Sequence, residues 1–259
     1  MTRERLYLYD TTLRDGQQTQ GVQFSTAEKI TIASALDTLG VDYIEGGWPG
    51  ANPTDSAFFD AAPTTRAKMT AFGMTKRNGM SAQNDDVLAA VMNAGTRTVC
   101  LVGKTHDFHV SAALGITLDE NTDNIAKSIA HLVAQGREAL FDAEHFFDGY
   151  RANPDYALTD TENAVACSLA AIDAGARQIQ GTLNGLGERC GNANLTTLIP
   201  ILLLKEPYAS RFDTGIPLDG LANLTQISRA LDEILNRVPT KQAAFVGSSA
   251  FAHKAGLHA

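Results

Sequence analysis

Two rhythms of apolar residues alternate along the chain. In "STAEKITIASALDTLG", Ile30, Ala33, Leu36 and Leu39 recur at the spacing of one helix face. Ser25 and Glu28 predict a capping box at its start, and Gly40 a left-handed stop at its end. The run "VDYIEGG" that follows is too short for a helix and reads as a strand. The same sentence recurs as "DDVLAAVMNAG" then "TRTVCLVG", as "DNIAKSIAHLVAQG" then "REALFDAE", and as "TENAVACSLAAIDAG" then "ARQIQGTLNG". Gly95, Gly136 and Gly175 stand at the stops. With "RLYLYD" and "AKMTAFGMTKR", the pattern predicts parallel strands near residues 6–10, 42–46, 69–73, 98–102, 139–143 and 178–182. Alternating units of this kind give an α/β fold, a parallel sheet covered by helices and wound by right-handed crossovers.

Polar residues cluster where these strands end. Asp10, Arg14 and Asp15 follow the first apolar run, Glu45 the second, Asp142 and Glu144 the fifth, and Gln180 and Thr182 the sixth. A barrel collects such groups at the mouth where its active site lies, whereas an open doubly wound sheet gathers them at a switch point. A carboxylate beside a guanidinium at a strand end suits a hard cation and an oxyanion. A structural ion pair is the alternative reading of Arg14 and Asp15. In "GLGERCGN", Gly185, Gly187 and Gly191 imitate a dinucleotide fingerprint, but the spacing is GxGxxxG rather than GxGxxG. Tight packing of backbone on backbone is the competing explanation of these glycines.

Length and charge narrow the class. The chain has 259 residues, the size of one α/β barrel. Its net charge of −8, with no block of Lys or Arg, disfavours nucleic acid and anionic membrane surfaces as partners. The longest apolar run, Leu198–Leu204, contains Pro200 and is too short for a bilayer. Three scattered cysteines form no CxxC pair, and "MTRERLYLYD" has no signal-peptide core. A soluble cytoplasmic protein is the expectation.

The motif "DTTLRDGQQTQG" resembles the first-strand signature of the metal-dependent barrels of the pyruvate carboxylase and HMG-CoA lyase type. Within that group, "DYIEGGWPGANPTDSAFF", "AFGMTKR", "GKTHDFHV", "DAEHFFDGYRANPDYAL", "GTLNGLGERCGNANL" and "AHKAGLHA" are most similar to the citramalate and isopropylmalate synthases. The resemblance implies an acyltransferase that condenses acetyl-CoA with pyruvate to citramalate, with a divalent metal (Mn, Zn or Mg), in a homodimer. It implies Asp15 and Asn192 as metal-site residues, and Arg14, Gln18 and His109 at the substrate. It further implies Arg14, Glu144 and His258 in catalysis, with His258 as general base. An isopropylmalate synthase, a lyase of the HMG-CoA type and a non-catalytic fragment are the other readings.

The resemblance has a hole. In that family strand six and an HxH pair of metal-binding histidines lie between the "NPDYAL" and "TENAVA" landmarks. Here "DYALTDTENAVACSLAAIDAG" joins the two directly, and none of the six histidines forms HxH. The gap amounts to about two βα units at ~31 residues each. The expected architecture is therefore a TIM-barrel-like sheet, incomplete at about six strands. Residues 1–206 would form the catalytic domain, and residues 207–259 the start of a truncated post-barrel accessory region.

Overall fold

A computed structural model describes residues 2–61, 64–145 and 164–252. Six strands form one sheet: β1 (Tyr7–Asp10), β2 (Tyr43–Gly47), β3 (Lys68–Met74), β4 (Thr98–Lys104), β5 (Glu138–Glu144) and β6 (Gln178–Gly181). They lie in the order β5-β4-β3-β2-β1-β6. β1 pairs parallel with β2 and β6, and β4 pairs parallel with β3 and β5. Every strand expected from the apolar pattern is present within a residue or two of its predicted bounds. Between them run helices α1 (Thr26–Leu39), α2 (Pro53–Ala61), α3 (Asp86–Asn93), α4 (Leu118–Ala134) and α5 (Ala164–Asp173), and after β6 come α6 (Leu195–Leu204) and α7 (Leu224–Ile234).

The chain divides into two compact units. The first comprises Met1–Ile44, Pro63–Ala67 and Asn163–Ala259, and the second Glu45–Ala62 and Lys68–Glu162. β2 belongs to both, with Tyr43 and Ile44 in the first and Glu45 onward in the second.

In the first unit the capping box of α1 is formed. Ser25 Oγ accepts from the Glu28 amide at 3.3 Å, and Glu28 Oε2 accepts from the Ser25 amide at 2.7 Å. Gly40 ends the helix at φ 98°. The buried face of α1 carries Ile32, Ala33, Leu36 and Leu39, together with the Lys29 side chain. Ile30, read from the sequence as part of that face, is only half-buried, and Ile32 takes its place in the core. α7 packs on α1 and buries Leu224, Ile227 and Leu231. A short parallel pair, Glu4–Arg5 with Phe212–Asp213, lies outside the main sheet.

The second unit is built on β4, whose residues from Thr98 to Gly103 are buried. Val99 and Leu101 of β4 meet Ala71 of β3, Leu88 and Val91 of α3, and Leu132 of α4 in one core cluster. Asp85 caps α3, its Oδ1 accepting from the Leu88 amide at 3.0 Å. Among the described residues, no helix is long and apolar enough to cross a membrane.

Candidate active site

In the first unit the end of β1 is shaped by a buried carboxylate. Asp10 accepts from the Thr12 amide and from Thr12 Oγ1, both at 2.8 Å. Thr12 Oγ1 accepts in turn from the Leu183 amide at 2.8 Å, which fastens the end of β1 to the loop after β6. The chain then folds tightly, because the Thr11 carbonyl accepts from the amides of Arg14, Asp15 and Gly16 at 3.2, 2.8 and 3.0 Å. This turn sets Arg14 beside Asp15, with Nη1 3.5 Å from Oδ1. Both side chains are largely buried, at 12% and 22% exposure.

The loop after β6 supplies the third member. Asn192 donates its side-chain amide to Asp15 Oδ2 and to the Leu186 carbonyl, each at 2.9 Å. The loop's glycines make room for this. A Cβ on Gly187 would lie 2.5 Å from Asn192 Nδ2, and one on Gly191 would lie 2.4 Å from the Gly185 carbonyl oxygen. The glycine spacing that imitates a dinucleotide fingerprint thus packs the loop on itself and on Asn192. Thr19 fixes the loop from the β1 side, its Oγ1 accepting from the Gly187 amide at 2.8 Å.

The structure therefore brings Arg14, Asp15 and Asn192 together. Gln18 lies at the exposed end of the short helix Gly16–Gln18. Asn184, at φ 55°, is turned to α7: its Nδ2 donates to the Ser228 carbonyl at 3.0 Å and to Asp232 Oδ1 at 3.1 Å. Ser228 Oγ donates back to Asn184 Oδ1 at 2.7 Å. Burial pushes the Asp232 carboxyl above its usual range, against the opposing pull of Asn184 and Arg237. Asn184 is thus a tie between the β6 loop and α7. Ser228 and Asp232, four apart in "ISRALDE", lie on one face of α7.

The second unit carries its own cluster at the ends of β4 and β5. The strands run in register with Lys104 opposite Glu144, and Lys104 Nζ lies 2.6 Å from Glu144 Oε2. Thr105 binds the Glu144 carbonyl through its amide at 3.1 Å and its hydroxyl at 2.7 Å. The His109 ring sits 4.4 Å from that of His145 and 4.8 Å from that of His106, centroid to centroid. His145 Nε2 lies 3.8 Å from Glu144 Oε1, and His106 Nδ1 lies 2.9 Å from Asp107 Oδ1. Burial holds the His109 imidazole below its ordinary value, and the electrostatics of His145, His106 and Lys104 push the same way while Glu144 opposes them. Lys104 was missed in the sequence, where its pairing with Glu144 depends on strand register. His258 lies outside the described residues.

These residues do not add up to a metal centre. Asp15 Oδ2 is occupied by the Asn192 N–H, and among the described residues no group of three or more His, Cys, Asp and Glu side chains is placed to hold an ion.

Comparison with known proteins gives three further findings. The HMGL-like family model matches residues 5–159 and 156–230. An (R)-citramalate synthase from Synechocystis sp. is 43% identical over 312 residues, covering 98% of this chain and 56% of that protein. One from Streptomyces coelicolor is 41% identical over 308 residues, covering 99% of this chain and 57% of that protein. The chain thus spans a little over half the length of the curated relatives it matches. Both alignments are longer than the chain's 259 residues, so these relatives hold residues without a counterpart here. The two family segments meet at 156–159, where the sequence reading placed the gap. An HMG-CoA lyase structure from Brucella melitensis matches with a TM-score of 0.65 at 14% identity, covering 89% of this chain and 99% of that one. That likeness concerns the fold.

Proposed function

Because the chain belongs to the HMGL-like family, we propose that its site is that of a citramalate-synthase-type acyltransferase, standing here without part of its metal-binding donor set. The reaction is the condensation of acetyl-CoA, pyruvate and water to citramalate and CoA. A base removes a proton from the acetyl methyl group, the enolate carbon attacks the pyruvate ketone, and hydrolysis of the thioester releases CoA. The observation that carries this reading is the 43% identity to a citramalate synthase across 98% of this chain.

The residues fit parts of that chemistry. Arg14, largely buried and steered by Asp15, offers a guanidinium to the pyruvate carboxylate or to the alkoxide formed by the attack. His109, its imidazole held below the ordinary value chiefly by burial, offers a hydrogen bond to the keto acid without adding charge. Glu144 is held by Lys104 and serves the proton transfers. Gln18 is assigned to substrate and His258 to the general base on the resemblance alone. The same reading includes a divalent metal at Asp15 and Asn192, a cytoplasmic homodimer, and a division at residue 206 with an accessory region beyond. With the HxH donors missing, the metal affinity of this chain is low and its turnover falls below detection.

Substrate binding tests the reading without requiring turnover. Titrate the chain calorimetrically with pyruvate, 2-oxo-3-methylbutanoate and 2-oxoglutarate. The proposal expects pyruvate to bind most tightly, and Arg14→Gln to weaken it about tenfold, ~1.4 kcal/mol. Preference for a branched keto acid, or binding indifferent to Arg14, would overturn it.

A further inference from the structure

Lys76 follows β3 and is 6% exposed. Its ammonium donates to Asn124 Oδ1 on α4, and among the described residues no carboxylate pairs with it. The arrangement is held firmly. The Lys76 amide donates to Ser128 Oγ at 2.9 Å, and Ser128 Oγ donates to the Asn124 carbonyl at 2.6 Å. Asn124 Nδ2 reaches Asn78 Oδ1 at 3.4 Å. A buried cation balanced only by a neutral amide is costly, because it gives up hydration without gaining a counter-charge.

Two cavities of the second unit meet at this point. One, of about 790 Å³, is lined by Lys76, Asn78, Gln83, Asn124, Lys127 and His131 among others. The other, of about 380 Å³, includes Trp48, Met74, Val102, Lys104, Ile116 and Glu144. Lys76, Asn78 and Asn124 line both. The volume of the larger cavity is that of a small-molecule site. Its carboxylate, Asp123, is already paired with Lys127 at 2.7 Å, and Glu120 accepts from Asn78 Nδ2 at 3.3 Å. Lys76 is therefore the unbalanced charge in the larger cavity. Around it the amides of Asn78, Gln83 and Asn124 are the chemistry that, with a lysine, surrounds a phosphate.

We propose that the larger cavity is a phosphate-binding site, in which Lys76 supplies the counter-charge and Asn78 and Asn124 supply the neutral contacts. The smaller, more apolar cavity beyond Lys76 suits a ligand with a phosphorylated head and a thin arm. The 3′-phosphorylated nucleotide end of a CoA thioester is one source of such a head, and a free phosphate ester is the other. The site stands on Lys76 and the cavity; only the thioester assignment rests on the acyl-transfer reading.

Calorimetric titration of the full chain with adenosine 3′,5′-bisphosphate, and separately with inorganic phosphate at matched ionic strength, tests the site. Binding of the nucleotide that is weakened at least tenfold in Lys76→Met and restored in Lys76→Arg supports the proposal and the thioester source. Binding of phosphate but not of the nucleotide, with the same dependence on Lys76, supports the site and removes the thioester assignment. Hydrogen exchange on the unaltered chain provides a readout that needs no variant: the bound probe should protect amides in 76–83 and 124–131. No binding by either probe, equal binding by Lys76→Met, or protection elsewhere would overturn the proposal. Pyruvate binding at Arg14 is measured separately, so the two readings fail separately.

Discussion

Asn192 and Asp15 are 177 positions apart in the chain, yet the Asn192 side-chain nitrogen donates to Asp15 Oδ2 at 2.9 Å. The same nitrogen donates to the Leu186 carbonyl, so one amide anchors the strand-end carboxylate to the β6 loop. Asn192→Ala leaves a largely buried carboxylate oxygen short of a donor. The expected cost is about 1–3 kcal/mol, read from urea unfolding at neutral pH. A loss within about 0.5 kcal/mol, the ordinary range for surface changes, would show that the amide is not an anchor.

The N-terminus of α1 gives a pH-dependent prediction. The Ser25 backbone amide, and secondarily its hydroxyl, hold the Glu28 carboxyl below its ordinary value of 4.5. A depressed carboxylate contributes stability that is present above the ordinary value and lost as pH falls through the folded one. Ser25→Ala should cost about 1 kcal/mol at neutral pH, and less as pH falls below 4.5 and Glu28 protonates in both proteins. Urea midpoints of the two proteins from pH 3 to 7 measure this. An equal difference at every pH would exclude the coupling.

In the cluster of His106, His109 and His145, His109 titrates low because of burial first and of the electrostatics of His145, His106 and Lys104 second. Its folded value lies below the ordinary 6.5, so protonation disfavours the folded state. Stability from this group is present above 6.5 and is lost as pH falls through the folded value. His145→Gln removes a titratable neighbour 4.4 Å from the His109 ring and should move the His109 value upward, as followed by NMR. An unchanged or lowered value would mean that His145 is not among the causes.

The strands, caps and stops were legible because each depends on near neighbours in sequence. Ser25 with Glu28 is a local signal, and the structure forms both halves of it. The bond of Asn192 to Asp15 was approached only through family resemblance, since nothing local joins two residues so far apart. The tie of Asn184 to α7 was illegible for the same reason: its partners Ser228 and Asp232 sit on a helix 44 and 48 positions away. The pairing of Lys104 with Glu144 required the register of β4 on β5, which apolar periodicity does not fix. Lys76 gave no sign at all, because a lone lysine in "MTKR" reads as surface until its burial is known.

The proposed acetyl-CoA and pyruvate acyltransferase site stands in a chain that lacks the segment its relatives carry. The most direct measurement is pyruvate-dependent release of CoA thiol from acetyl-CoA, in the presence of Mn²⁺, by two proteins. One is the chain as it stands. The other carries the unmatched segment of a citramalate synthase relative, inserted between Leu158 and Asp160. The account predicts no release by the first and Asp15-dependent release, with citramalate as product, by the second. Pyruvate-dependent turnover by the first, or a repaired chain that binds metal yet forms no citramalate, would contradict it.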